Sequence, residues 1–215
     1  MEQILALYGL PYDPLYPVIC FDERPCFLIG DLVEPVALQS GQLRKEHYAY
    51  KKLGSCALLA AIEPLTGRRL AQVYARRTKR EFTLFCQELA AAYPEAVKIR
   101  LVLDNLNTHD KSAFYEHLPA PEAFALAERF EFIFTPKSAS WLNMIELEFS
   151  ALSRLCLNRR IPMMAELETE VLTLVAERDR KRIKFNWQFS VQAARKKLNS
   201  RYSAVNSDNK LPQET

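Results

Sequence analysis

Five short apolar runs alternate along this chain with stretches of helical period, and two of them end on an aspartate. Val18–Phe21 (VICF) stops at Asp22, and Lys98–Leu103 (KIRLVL) stops at Asp104. Runs this short and this apolar read as buried strands. Cys26–Gly30 either continues the first strand or forms a separate short one. Ser55–Glu63 and Arg69–Tyr74 flank Pro64-Leu65-Thr66-Gly67, a turn sequence, which predicts a β-hairpin. Phe130–Thr135 is the last strand, ended by Pro136. Between the strands, Lys79–Tyr93 places Phe82, Phe85, Leu89 and Ala92 at helical spacing and is stopped by Pro94. Lys111–His117 and Pro121–Arg129 are helical, the second with Pro and Glu in its first turn. Leu142–Leu157, Ala165–Arg182 and Ser190–Asn199 are three further helices.

Strand, hairpin, helix, strand, helices, strand and helix in that order define an α/β chain. The succession suits a ribonuclease-H-like mixed five-stranded sheet flanked by helices, with extra C-terminal helices, although periodicity alone gives only α/β. The expected organisation is a lead-in or linker over 1–17, where Pro11, Pro14 and Pro17 interrupt any period, and a catalytic domain over 18–160. A helical extension over 161–203 and a polar, disordered tail over 204–215 follow. Ser40–Lys52 is polar and predicts a loop.

Composition excludes several classes. No apolar run reaches the roughly 18–20 residues that span a bilayer, and the N-terminus has neither the basic region nor the cleavage site of a signal peptide. A cytoplasmic, nucleoid-associated protein with no membrane partner is expected. Cys20, Cys26, Cys56, Cys86 and Cys156 form no CxxC pair, so they read as buried free thiols rather than zinc ligands or disulfides. The net charge is only +3. It is unevenly spread, with Arg76, Arg77, Lys79 and Arg80 in one cluster. Arg178, Arg180, Lys181, Arg182, Lys184, Arg195, Lys196, Lys197 and Arg201 form another. Such clusters suit either a polyanion or a solvated helix face.

A carboxylate where a strand ends projects into the crevice where open α/β sheets place ligands. Asp22, Asp104 and a third acid, Glu146 in TPKSASWLNMIELEFS, would together offer oxygen ligands to a hard divalent cation such as Mg²⁺. Any one of them alone reads more readily as a turn former, a helix cap or a solvated residue.

The words around these acids are more specific. VICFDERP, LVLDNLNTH and TPKSASWLNMIE, in that order, resemble the DDE transposases of the mariner superfamily, and within it the bacterial insertion-sequence branch. The likeness runs from VICFDERP to WQFSVQAARKKLNSRY. It implies that Asp22, Asp104 and Glu146 are both the catalytic acids and the metal ligands, holding two Mg²⁺ ions for which Mn²⁺ substitutes. Glu23 completes the DE pair and, next to Asp22 on a strand, faces the other way, as a structural residue would. Asn105 and His109 complete the DNxxxH word. Glu148 is the rival to Glu146; the two lie about 200° apart on a helix, and the family word selects Glu146. His109 is open between a role supporting the metal ligands, a DNA contact and plain packing. Lys137 and Arg154 are open between phosphate contacts and surface positions. Asn143 belongs to the same supporting set. Trp141 is more readily a packing residue than a platform for a flipped base.

The resemblance further implies transposon ends and target DNA as partners, insertion at TA, and action as a homodimer. It also implies a helix-turn-helix DNA-binding region, expected here as a separately encoded N-terminal segment. Where the branch has a histidine and a glycine before the tryptophan, this chain has Ser138 and Ala139. Two other readings stand beside transposition: a repurposed or inactive DNA-binding remnant, and a stand-alone nuclease of the same fold.

Overall fold

The computed structural model describes residues 1–32, 48–137 and 139–206. Its centre is a five-stranded sheet in the order β3-β2-β1-β4-β5. The strands are β1 (Val18–Asp31), β2 (Tyr50–Glu63), β3 (Arg68–Tyr74), β4 (Ile99–Leu103) and β5 (Phe130–Phe134). β1, β2 and β3 pair antiparallel, while β4 pairs parallel with both β1 and β5. This is the mixed, ribonuclease-H-like sheet expected from the order of elements. The antiparallel β2–β3 pair is joined by the tight turn Pro64–Gly67, whereas each parallel step needs helices to carry the chain back. α2 (Lys79–Ala92) makes the first crossover, and α3 (Ser112–His117) with α4 (Ala120–Glu128) makes the second. Thr78 and Glu81 close a capping box at the start of α2.

Alternation along the strands divides the apolar residues between two cores. Ile19, Phe21, Leu59, Leu101 and Leu103 face α2, α3 and α4, where Phe82, Phe85 and Phe114 meet them. Cys20, Leu58, Ile62 and Val102 face the other way, against α5 (Ile145–Leu155) and α6 (Met164–Arg180). All five cysteines are buried. Among the described residues no helix is long and apolar enough to cross a membrane.

Several expectations need correction. β1 runs past Phe21 to Asp31, so that Cys26–Gly30 continues the first strand, because its pairing with β2 extends from Cys20↔Ile62 to Asp31↔Tyr50 with one register shift between Leu28 and Ile29. Pro25 inside it is tolerated because β4 pairs only as far as Cys20, leaving β1 an edge beyond that point. The first 17 residues are not all extended: Glu2–Tyr8 is helix α1, with Ile4, Leu5 and Leu7 buried. Two turns are too short to show a period in sequence, and the helix is held by tertiary contacts instead. Glu2 accepts from Arg195 and Tyr202, and the Tyr8 hydroxyl donates to the Leu142 carbonyl at 2.7 Å. The predicted loop Ser40–Lys52 lies outside the described residues as far as residue 47, and its last three residues begin β2. After α7 (Val191–Lys197), α8 (Asn199–Val205) extends past the expected start of the tail; residues 207–215 lie outside the described ones. Gly67 in the β2–β3 turn adopts φ +76°, and a Cβ there would meet the Arg182 backbone carbon at 2.7 Å, so the turn and the end of α6 require glycine.

α6 is locked to the sheet through a buried ion cluster. Glu148 of α5, 2% exposed at its side chain, receives Arg178 Nε at 2.7 Å and Arg69 Nη2 at 3.0 Å. Burial opposes the Glu148 charge, but the two arginines outweigh it and hold the carboxyl below its ordinary value. A depressed folded value means that this contribution is present above the ordinary carboxylate value and is lost as pH falls through the lowered one. Removing one member of a buried cluster leaves its partners uncompensated, so Glu148→Ala should cost about 3–5 kcal/mol. Urea denaturation at neutral pH measures this, and the deficit should shrink in acid.

Candidate active site

The site forms where β4 ends. β1 and β4 pair through Val18↔Arg100, Ile19↔Leu101 and Cys20↔Val102, so two residues further on Asp22 and Asp104 leave the sheet side by side. Asp22 is therefore in the middle of its strand rather than at its end, and only its parallel neighbour has stopped. Glu146 lies in the first turn of α5, where the positive end of the helix dipole favours an acid. The expected helix start at Leu142 is replaced by a 3₁₀ turn, Ser140–Leu142, followed by an extended Asn143. The break delivers Glu146 at a helix end.

The charges of Asp104 and Glu146 bear on the Asp22 carboxyl. Burial, reinforced by the like charges of Asp104 and Glu146, pushes the Asp22 carboxyl up to about 7, against the opposing hydrogen bond from the Glu23 N–H. Such a set of oxygen donors is short of positive charge and suits a hard divalent cation. Among the described residues, no three acidic, histidine or cysteine side chains already stand close enough to enclose a metal ion. The acids approach without forming a closed ligand set.

Asp104 is braced. Its Oδ1 accepts from the Leu106 N–H at 3.3 Å and lies 2.6 Å from His109 Nδ1. The His109 bond holds the Asp104 carboxyl below its usual range, although burial opposes this. The His109 ring is fully buried, edge-on to Phe21 at 5.2 Å and beside Phe82 at 5.0 Å. Burial disfavours its charge, yet Asp104 and Glu23 together lift it to about 9. His109 is thus beneath the acids, supporting one of them, and too deep to touch a DNA strand.

The other expected residues divide. Asn143 is buried, and its Nδ2 donates to the Phe21 carbonyl at 2.8 Å, tying the approach to α5 directly to β1. Trp141 is half-exposed and packs on Trp187 (6.3 Å, 15°) and Phe189 (5.9 Å, 64°), so the C-terminal segment holds it. Asn105, Lys137 and Arg154 are exposed; Ser138 lies outside the described residues. Glu148, the rival acid, is committed to Arg69 and Arg178 on the far side of α5. Sequence reasoning missed Arg24, whose Nη1 donates to the Phe149 carbonyl at 2.9 Å and to Ser153 Oγ, clamping α5 onto β1. Nothing in VICFDERP marks Arg24, because its partners lie over a hundred residues away in sequence.

Two acids leaving adjacent parallel strands and a third at a helix start stand on a sheet of the ribonuclease-H-like order. The chain belongs to the DDE superfamily endonucleases, whose family model matches residues 17–168. No curated protein matches it. Among solved structures it is similar to a pre-cleavage Mos1 transpososome (12% identity, TM-score 0.56, covering 99% of this chain and 61% of that one). The Mos1 strand transfer complex is similar at 12% identity and TM-score 0.57, covering 99% and 60%. The mariner Mos1 paired end complex with Mg follows at 13% and 0.55, covering 99% and 61%. At these identities the likeness is one of fold, and the chain spans about three fifths of the length of those structures' chains.

Asn143→Ala would leave the Phe21 carbonyl without this donor and free the start of α5. A loss of about 1–3 kcal/mol, the cost of an unsatisfied buried group, is expected in urea denaturation, with the fold unchanged by circular dichroism.

Proposed function

We propose that the chain is the catalytic domain of a mariner-superfamily transposase of the bacterial insertion-sequence branch, cleaving DNA at an element's ends and joining them to target DNA. The observation that supports this reading is the parallel register of β1 and β4, which sets Asp22 beside Asp104, with Glu146 in the first turn of α5. Membership of the DDE superfamily endonucleases supports it.

Asp22, Asp104 and Glu146 would hold two Mg²⁺ ions, or Mn²⁺ in their place. When bound, such ions supply Lewis acidity to the attacking oxygen and to the departing one. The residues do the rest. His109 steadies Asp104, and the Asn143 and Arg24 ties fix the helix that carries Glu146. Arg76, Arg77, Lys79, Arg80 and Lys137 offer positive charge to the DNA backbone. In the first step a water oxygen bonds to phosphorus, the P–O3′ bond breaks and a proton ends on the freed 3′ oxygen. In the second, that 3′-hydroxyl oxygen bonds to a target phosphorus and gives up its proton, while the bond from phosphorus to the target's own 3′ oxygen breaks and that oxygen takes up a proton. Neither step needs a covalent bond to the protein. Action as a dimer, with a helix-turn-helix region recognising the ends, completes the reading.

Titration calorimetry with Mn²⁺ tests it directly. Asp104→Asn and Glu146→Gln should each weaken binding by more than about 100-fold, the upper end for residues that merely support a ligand. Nicking of supercoiled plasmid in Mg²⁺ should fall in parallel. Binding that ignores both substitutions would overturn the reading in favour of a fold kept for DNA binding without turnover.

A further inference from the structure

Glu23 does not face the metal-binding side of β1, yet it is a charged residue in an aromatic wall. Asp22 and Glu23 leave the strand on opposite faces, and Glu23 enters the core built by Phe21, Phe82 and Phe114, with its side chain 1% exposed. A carboxylate there is costly unless it is compensated. Its Oε1 lies 3.2 Å from His109 Nε2, and its Oε2 lies 3.2 Å from Arg77 Nε. Both approaches are off the line of a hydrogen bond, so the attraction is Coulombic. Leucine would fill this place without any such cost.

What the charge accomplishes becomes clear from the other side of the ring. His109 presents Nδ1 to Asp104 and Nε2 to Glu23, so one imidazole spans two acids on different elements. A histidine ring orients a ligand by what its second nitrogen faces. A half-turn of this ring would take Nδ1 away from Asp104 and Nε2 away from Glu23 together. Among the described residues, both ties to Asp104 are made at Oδ1, by His109 and by the Leu106 N–H, which leaves Oδ2 as the oxygen to offer a cation. Arg77 secures Glu23 from the half-exposed loop before α2, among Arg76, Lys79 and Arg80.

We infer that Glu23 is a positioning residue for Asp104: seated by Arg77, it locks the His109 ring so that Asp104 is held by one oxygen with the other free. This rests on the reading of Asp104 as a metal ligand.

The test uses the full chain with Glu23→Leu, Glu23→Gln, His109→Gln and the double substitution E23L/H109Q. Mn²⁺ affinity is read by calorimetry and folding by thermal melting. Glu23→Leu should weaken Mn²⁺ binding about 10-fold, the scale found for groups that orient ligands. Glu23→Gln, which keeps the shape but not the charge that faces Nε2 and Arg77, should weaken it to a similar extent. In the His109→Gln background the leucine should add nothing, because its effect passes through the ring. An unchanged affinity in Glu23→Leu, or a full additional loss in the double variant, would overturn the inference, whatever the melting temperature does. Nitrogen-15 NMR of the histidine rings supplies an arm without metal. Only His47, His109 and His117 contribute, and His109→Gln assigns the signal. Both His109 ring nitrogens should shift in Glu23→Leu. A shift confined to Nε2 would show the ring still seated on Asp104 and refute the positioning role. If Asp104→Asn leaves Mn²⁺ affinity untouched, it is the proposed function that fails, and the ring signals still decide whether Glu23 seats His109.

Discussion

The two aspartates of the site depend on a parallel pairing only three residues long. Val18, Ile19 and Cys20 lie against Arg100, Leu101 and Val102, and the pairing stops two residues before each aspartate. Parallel strands in register deliver their C-terminal residues at one level, so the ladder that builds the centre of the sheet also brings Asp22 beside Asp104. A slip by one residue would turn Asp22 into the aromatic core and Glu23 out toward α5. Ile19, Phe21, Leu101 and Leu103 on one face, and Cys20 and Val102 on the other, oppose that slip because every one of them is buried. The core thereby sets the position of the acids.

The third acid is placed by different means. α5 belongs to no ladder, and it is fixed to the sheet by Asn143 on the Phe21 carbonyl, Arg24 on the Phe149 carbonyl, and Glu148 between Arg69 and Arg178. These ties lie before, along and behind the first turn that carries Glu146. The C-terminal helices are therefore more than an appendage. Arg178 of α6 completes the Glu148 cluster, Asp179 accepts from the Arg69 N–H, and Trp187 and Phe189 cover Trp141. Arg195 and Tyr202 in turn pin α1 through Glu2.

Much of this was legible from residues alone, for definable reasons. The hairpin around Pro64–Gly67 and the helix before Pro94 were marked by turn and breaker chemistry, which is local. The buried strands β4 and β5 were marked by their short apolar runs. The length of β1 was left open, since FDERP looks like a strand ending and only pairing with β2 carries it on to Asp31. α1 was hidden because seven residues show no period and the helix draws on contacts with residues 142, 195 and 202. In the site, Asp22, Asp104 and Glu146 stood out by their neighbours in sequence. Arg24 did not, and the partners of Glu23 and Arg77 were hidden, because they lie far along the chain.

The sequence by itself determined which residues seek the interior, where the chain turns, and which three acids stand at the edges of apolar runs. Those are properties of composition and of periods shorter than a helix turn or two, and they hold wherever the segments are placed. Only the tertiary structure decided which face each acid takes and what faces it in return. It made Glu148 a strut and set Glu146, exposed, in the first turn of a helix. It also turned Glu23 from the neighbour of Asp22 into the partner of His109. The reason is physical: a charge acquires its role from the dielectric and the counter-charges around it, and these are assembled only when distant segments pack.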